Sequence, residues 1–223
     1  GAAANLWHLA QPIQFGRKFL GSRRQGEGIL VVAQSQHPGG NAAFGIGQCG
    51  QRTRRPGKSR SRDQAGAFLA RLAGRSDQDV MTYMTIPSTI SGGPSIFQVR
   101  IGSGEVLSAG DEADFLVAFY QHSYQDHLDF LKEGGVLLYD SDNVEPNLDD
   151  KRFVYVGVPI TGLTVEALGG TAKDKGKNIF VLGLIAKIFT LDVEKLARLI
   201  KEKFAGKDES IVNTALMAFQ SGY

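Results

Sequence analysis

A chain of 223 residues with 42% hydrophobic side chains suffices for one large core or two small ones, which places it among globular proteins. Its one cysteine, Cys49, excludes a disulfide framework and any cluster or zinc site drawing several thiolates from this chain, and no apolar run reaches the roughly 18 residues of a membrane span. The net charge of +2 hides a split, because residues 1–79 carry +8 and residues 80–223 carry −6. With a single cysteine and no disulfide framework the expected compartment is the reducing cytoplasm, and no charged-then-apolar pattern follows Gly1. The start on Gly1 rather than Met fits a fragment.

Residues 1–64 are basic and poorly patterned. Ile29 to Ala33, ILVVA, is a candidate strand, but little around it recurs at 2.0 or 3.6 residues. Gly45 to Gly50 spells G-x-G-x-x-G, which in a phosphate or dinucleotide site needs a strand before it and a helix after it. The following QRTRRPGKSRSRDQ has no apolar face and contains a proline, so that context fails and a dinucleotide-dependent dehydrogenase is the least favoured reading. The clustered Arg and Lys suit an anionic surface, yet no aromatic side chains interleave to stack bases. No nucleic acid partner is expected.

Beyond residue 64 the pattern sharpens. Two β-type runs, VMTYMTI and SIFQVRI, flank a loop containing Pro87, Ser88, Thr89, Ser91, Gly92, Gly93 and Pro94. Gly92 and Gly93 permit positive φ and leave N–H groups uncovered, which suits a polyanion or a partner surface; a tight structural turn is the equal alternative. Phe115 to Tyr120 reads as a buried strand. Ser123 is expected to cap a helix with Tyr124, Leu128 and Leu131 on one face, ended by Gly134 and Gly135. Val136 to Asp140 follows as a strand. Such continuous apolar strands imply parallel pairing with both faces covered.

The acidic run from Asp140 to Asp150 lacks the Gly and closing Glu of a calcium loop and is expected to be a solvated connection, placed where open α/β sheets bind ligands. A further strand is predicted over Phe153 to Ile160, then helices over Asn178 to Phe189, Val193 to Phe204 and Ile211 to Gln220. Asn178, the polar residue opening the first of these, is expected to serve the helix start through its side chain, and Lys173, Lys175 and Lys177 to lie in a solvated loop. His122 and His127 are five apart, which does not set two imidazoles on one helix face, so no metal site is predicted. No hydrolytic triad stands out. The expected fold is α/β, a layered arrangement with a mostly parallel sheet and helices on both faces.

Four runs taken together carry a family resemblance: TYMTIPSTISGGPSIFQVRIG, GVLLYDSD, KNIFVLGLIAKIF and LDVEKLARLIKEKFAGK. From Ala65 to Tyr223 the chain resembles the gamma domain of the 2-oxoacid:ferredoxin oxidoreductases, a Rossmann-like fold. The resemblance implies a share in oxidising a 2-oxoacid with coenzyme A to an acyl-CoA and carbon dioxide. It implies alpha and beta subunits as partners, ferredoxin as electron acceptor, and thiamine diphosphate and iron–sulfur clusters in those partner subunits or domains. Coenzyme A is expected at Ser88, Ser91, Gly92, Gly93 and Asn178, with no catalytic residue in this chain and no activity from it alone. The alternative is a noncatalytic scaffold that binds no small molecule.

The family also places a G-x-G-G-x-G loop directly before a helix resembling AGAFLARLAGR, Ala65 to Arg75. Here 14 residues separate Gly50 from Ala65. Either an insertion intervenes, or residues 1–64 do not derive from the family's reading frame; the second is preferred.

Overall fold

The computed structural model of this chain describes residues 28–34, 64–76, 78–85, 95–102, 105–108, 110–170 and 176–223. The Ser88, Ser91, Gly92 and Gly93 loop, the Gly45 to Gly50 motif, the basic run around Arg54, and Lys173 and Lys175 lie outside the described residues.

A six-stranded sheet has the order β2-β3-β1-β4-β5-β6. Its strands are β1 (Gly28–Gln34), β2 (Asp79–Thr85), β3 (Ser95–Gly102), β4 (Ala113–Ala118), β5 (Leu131–Asp140) and β6 (Val154–Val158). Adjacent pairs in the series β1, β4, β5, β6 run parallel, whereas β3 pairs antiparallel with both β1 and β2. The helices are α1 (Gln64–Gly74), α2 (Gln121–His127), α3 (Ile160–Ala167), α4 (Lys177–Ile188), α5 (Val193–Phe204) and α6 (Glu209–Gly222). The candidate strand at Ile29 to Ala33 is thus β1, and it holds an inner place although it lies within the first 64 residues.

Every residue of β4 is buried, as its unbroken apolar run requires. Strand alternation then divides the interior in two. Phe115 and Val117 face a core shared with α1, α4, α5 and α6, where Phe68, Leu182, Leu196 and Phe219 meet. Leu116 and Ala118 face a second core with Leu137, Tyr124, Val144 and Phe153, closed by α2 and the segment that follows β5. Both faces of the sheet are therefore covered at β4, while Tyr83 and Met84 of β2 and Val154 of β6 remain exposed.

Two expected boundaries move. The helix predicted to run from Ser123 to Gly134 ends at His127 and passes through a short 3-10 turn, Leu128–Phe130, into β5. Leu131 pairs with Ala113 rather than continuing a helix, and the ladder slips before Phe115 meets Val136. Gly134, at φ 76, and Gly135 accommodate that irregularity inside the strand. An ion pair between Lys132 and Asp114 ties the two strands at the same place. Ser123 is buried within α2, and Tyr120 occupies the cap position. The predicted strand to Ile160 stops at Val158, because Ile160 begins α3.

The buried helix α4 has Ile179, Phe180, Val181, Leu182, Ile185 and Ala186 in the core. It passes so close to α6 that a Cβ on Gly183 would collide with the Phe219 carbonyl, and one on Gly222 with the Phe180 carbonyl. By contrast α5 is amphipathic, burying Leu196, Leu199, Ile200 and Phe204, and Asp192 caps it by accepting from the Lys195 backbone N–H at 2.9 Å.

Candidate functional site

Strands β4, β5 and β6 end along one edge of the sheet, and Tyr120, Asp140 and Thr161 stand there in succession. Loops at the carboxyl ends of parallel strands form the crevice where α/β folds take ligands. Into this edge α4 delivers Lys177 from its first turn.

Asp140 is the centre of the arrangement and has no solvent exposure. A buried carboxylate persists only when its oxygens are supplied with donors. Here the Thr161 hydroxyl donates to Oδ2 and the Thr161 N–H to Oδ1 at 3.2 Å. The Asn143 amide donates at 2.8 Å and the Asp142 N–H at 3.3 Å. The Lys177 ammonium lies 4.0 Å from Oδ2, with its side chain 5% exposed. It is also 3.5 Å from the Tyr120 hydroxyl and 5.0 Å from the centroid of that ring. This is a cation–π contact in a site largely withdrawn from water. His122 stacks on the other ring partner, Tyr120, at 5.9 Å.

The same carboxylates serve α3, whose cap residue Pro159 has no side-chain hydrogen bond to offer. Asp140 accepts from the Thr161 N–H and Asp142 from the Gly162 N–H at 2.6 Å. Two acids borrowed from the end of β5 thereby satisfy first-turn donors and favour the positive pole of the helix. The acidic run is therefore a packed element at its start and not simply a solvated connection. Farther along, the Gln121 side chain brackets Glu145, accepting from its N–H at 2.8 Å and donating to its carbonyl at 3.3 Å. Tyr124 accepts from the Asn147 N–H at 3.1 Å. Hydrogen bonds from Arg152 hold the Asp150 carboxyl below its ordinary range.

Lys177 likewise departs from its expected place, since it is buried against Asp140 and Tyr120 instead of lying in a solvated loop. Asn178 is the second residue of α4 and half-buried; the cap is Gly176, at φ 96, which has no side chain to contribute. A Cβ there would come within 2.8 Å of Leu168. Of the expected site residues the structure thus places Asn178 at the carboxyl edge. Asp140, Asn143, Thr161 and Lys177 are the residues that linear spacing missed.

His127 points into the protein, where burial lowers its pKa against the opposing pull of Asp126. Among the described residues no three His, Cys, Asp or Glu side chains are grouped to hold a metal ion, and no helix is long and apolar enough to cross a membrane.

Comparison with known proteins agrees with this architecture. The 2-oxoglutarate oxidoreductase subunit KorA of Mycobacterium tuberculosis is 33% identical over 150 residues, which cover 59% of this chain and 23% of that protein. The ketoisovalerate oxidoreductase subunit VorA of Methanothermobacter thermautotrophicus is 34% identical over 160 residues, covering 70% of this chain and 32% of that one. The chain therefore spans a third or less of the length of these relatives. Among solved structures, the 2-oxoglutarate:ferredoxin oxidoreductase of Magnetococcus marinus superposes with a TM-score of 0.70 at 24% identity, over 89% of this chain and 31% of that one. The keto/oxoacid ferredoxin oxidoreductase gamma subunit of Geobacter sulfurreducens gives 0.61 at 21% identity, over 89% and 95%. These likenesses establish a shared α/β fold. The family model described as pyruvate ferredoxin/flavodoxin oxidoreductase matches residues 63–223, from the start of α1 through the Asp140 and Lys177 cluster to the end of α6, and the chain belongs to that family.

Proposed function

We propose that this chain is a gamma-type domain working within a 2-oxoacid:ferredoxin oxidoreductase complex of the cytoplasm, where it contributes to subunit assembly and to the binding of coenzyme A. The family match over residues 63–223 carries this reading. The Magnetococcus marinus enzyme, whose fold this chain shares, has 2-oxoglutarate, coenzyme A and succinyl-CoA bound. In the proposed complex alpha and beta subunits hold thiamine diphosphate and iron–sulfur clusters, and ferredoxin accepts the electrons. Coenzyme A supplies the thiol that carries the acyl group away.

This chain's own contribution is positional. Helix α4 opens at the carboxyl edge of the sheet without a side-chain cap, and a helix N-terminus suits phosphate. Asn178 stands in that first turn. We assign Ser88, Ser91, Gly92 and Gly93 to the same ligand, their backbone N–H groups and hydroxyls orienting it without proton transfer. Lys177 does not reach outward, and its role is to hold the start of α4 against Asp140.

The test is calorimetric titration of coenzyme A into the chain. Saturable binding that Gly92→Val abolishes and Asn178→Ala weakens about tenfold supports the assignment. Absence of binding by the folded chain, with binding restored by partner subunits, places the ligand at a shared site. Absence in both overturns the assignment and leaves the noncatalytic scaffold reading, which the inward turn of Lys177 favours.

A further inference from the structure

One margin of the sheet is open. Among the described residues β6 pairs with β5 alone, so it ends the sheet. Its sequence VYVGV has none of the features that commonly guard an edge strand: no charge, no proline and no register slip against its neighbour. Large apolar side chains are exposed just before it, within it and just after it, at Leu148, Val154 and Leu163.

Two hydrogen bonds fix the direction of its backbone groups. The Val158 carbonyl accepts from the Ser141 N–H at 2.9 Å and the Arg152 carbonyl from the Gly134 N–H at 2.7 Å, both toward β5. Peptide groups alternate along a strand, so Val154, Val156 and Val158 turn theirs to β5, while Phe153, Tyr155 and Gly157 turn theirs outward. This outward set is symmetric about Tyr155. A two-fold axis there sets Tyr155 against the partner's Tyr155 and Phe153 against the partner's Gly157, which supplies every outward donor and acceptor with a mate. It also sets the exposed Val154 against the partner's Val156, in the non-bonded pairs where side chains approach most closely.

The ends of the strand match in charge. Arg152 is engaged by Asp150 at 2.7 Å, whereas Lys151, exposed, donates to the Leu148 carbonyl at 2.8 Å. The same axis brings Lys151 opposite the partner's Pro159, at the carboxyl edge where the Asp142 side chain is exposed and holds the Gly162 N–H. Opposite charges therefore meet at both ends of the joint.

We propose that β6 joins a second copy of this chain in antiparallel fashion across a two-fold axis at Tyr155, with Lys151 of each copy paired to Asp142 of the other. The two sheets become one. Each copy then lends a cation to the edge of the other's Asp140 and Thr161 cluster. The joint does not depend on the assignment of coenzyme A.

Sedimentation equilibrium of the full chain over a range of concentrations tests this. A dimer is expected, and Val154→Lys, which sets a charge against the partner's Val156, is expected to raise its dissociation constant at least about tenfold. Lys151→Glu, an exposed change outside the strand, is expected to weaken the dimer as well, with a loss that shrinks at high salt. It keeps the test decisive should Val154→Lys fail to fold. Tyr83→Lys, on the opposite margin of the sheet, is expected to leave the dimer intact. A monomer at every concentration overturns the proposal and leaves the edge to a strand of another protein. A dimer that Tyr83→Lys dissociates, or that neither Val154→Lys nor Lys151→Glu weakens, overturns it equally.

Discussion

Asp140 shows how much of a site depends on residues distant in sequence. Its carboxylate is surrounded by Asn143 and Asp142 nearby, Thr161 at a separation of 21 residues, and Lys177 farther on. In the run DSDNVEP nothing distinguishes this acid from the exposed Asp142, and Lys177 resembles Lys173 and Lys175 in its local sequence. Burial of a charge is decided by what the fold brings against it, so neither residue was legible. Asp140→Ala leaves the Lys177 ammonium buried without its acid and strips two donors at α3 of their acceptor. A loss of about 3–5 kcal/mol is expected, read as a lower urea midpoint. Lys177→Met costs less, since the hydrogen bonds to Asp140 survive, and the double variant recovers part of the Asp140→Ala loss. Additive effects of the two changes would show that the ion pair contributes nothing beyond its separate members.

Elements were legible where their pattern was dense. The nearly all-apolar run from Asn178 to Phe189 and the i, i+3, i+4, i+7, i+11 spacing of Val193, Leu196, Ala197, Ile200 and Phe204 announce α4 and α5, and Phe115 to Tyr120 announces a buried strand, which ends at Ala118. The reading failed at Leu128 and Leu131, whose helical spacing competes with strand pairing to Ala113, and pairing wins because it completes the parallel sheet. Helix α3 was missed because Thr161, Gly162 and Thr164 are poor helix formers; its start depends on the carboxylates of Asp140 and Asp142. The near contact of the α4 and α6 backbones leaves no room for a side chain at Gly183. Gly183→Ala forces the two backbones apart and is expected to cost about 1–3 kcal/mol. Gly74→Ala, where a Cβ meets nothing within 4 Å, is expected to be close to neutral. Denaturation of both variants side by side distinguishes them, and equal melting temperatures would sink the close-packing account.

At the level of the whole molecule the sheet joins an antiparallel pair, β2 and β3, to the parallel set through β1. Gly28 to Gln34 pair with Ile101 to Ser95 on one side, and Leu30 to Ala33 with Phe115 to Ala118 on the other. Val31→Pro removes an N–H and distorts a strand hydrogen-bonded along both edges. A loss of at least about 2 kcal/mol is expected in urea unfolding. If residues 1–64 stand outside the family-type domain, unfolding of Val31→Pro will match the unsubstituted chain, so the measurement also tests the division proposed at Ala65. The position of β1 also bears on folding rate. Its two neighbours, residues 95–102 and 113–118, are synthesised long after it, and closing such distant contacts requires a large ordering of chain before any return. Until they arrive, an apolar strand with two open edges is a template for pairing with other chains. Seating of β1 between strands made after it is therefore expected to be a slow, aggregation-exposed step, and Val31→Pro should lower refolding yield at high protein concentration more than at low.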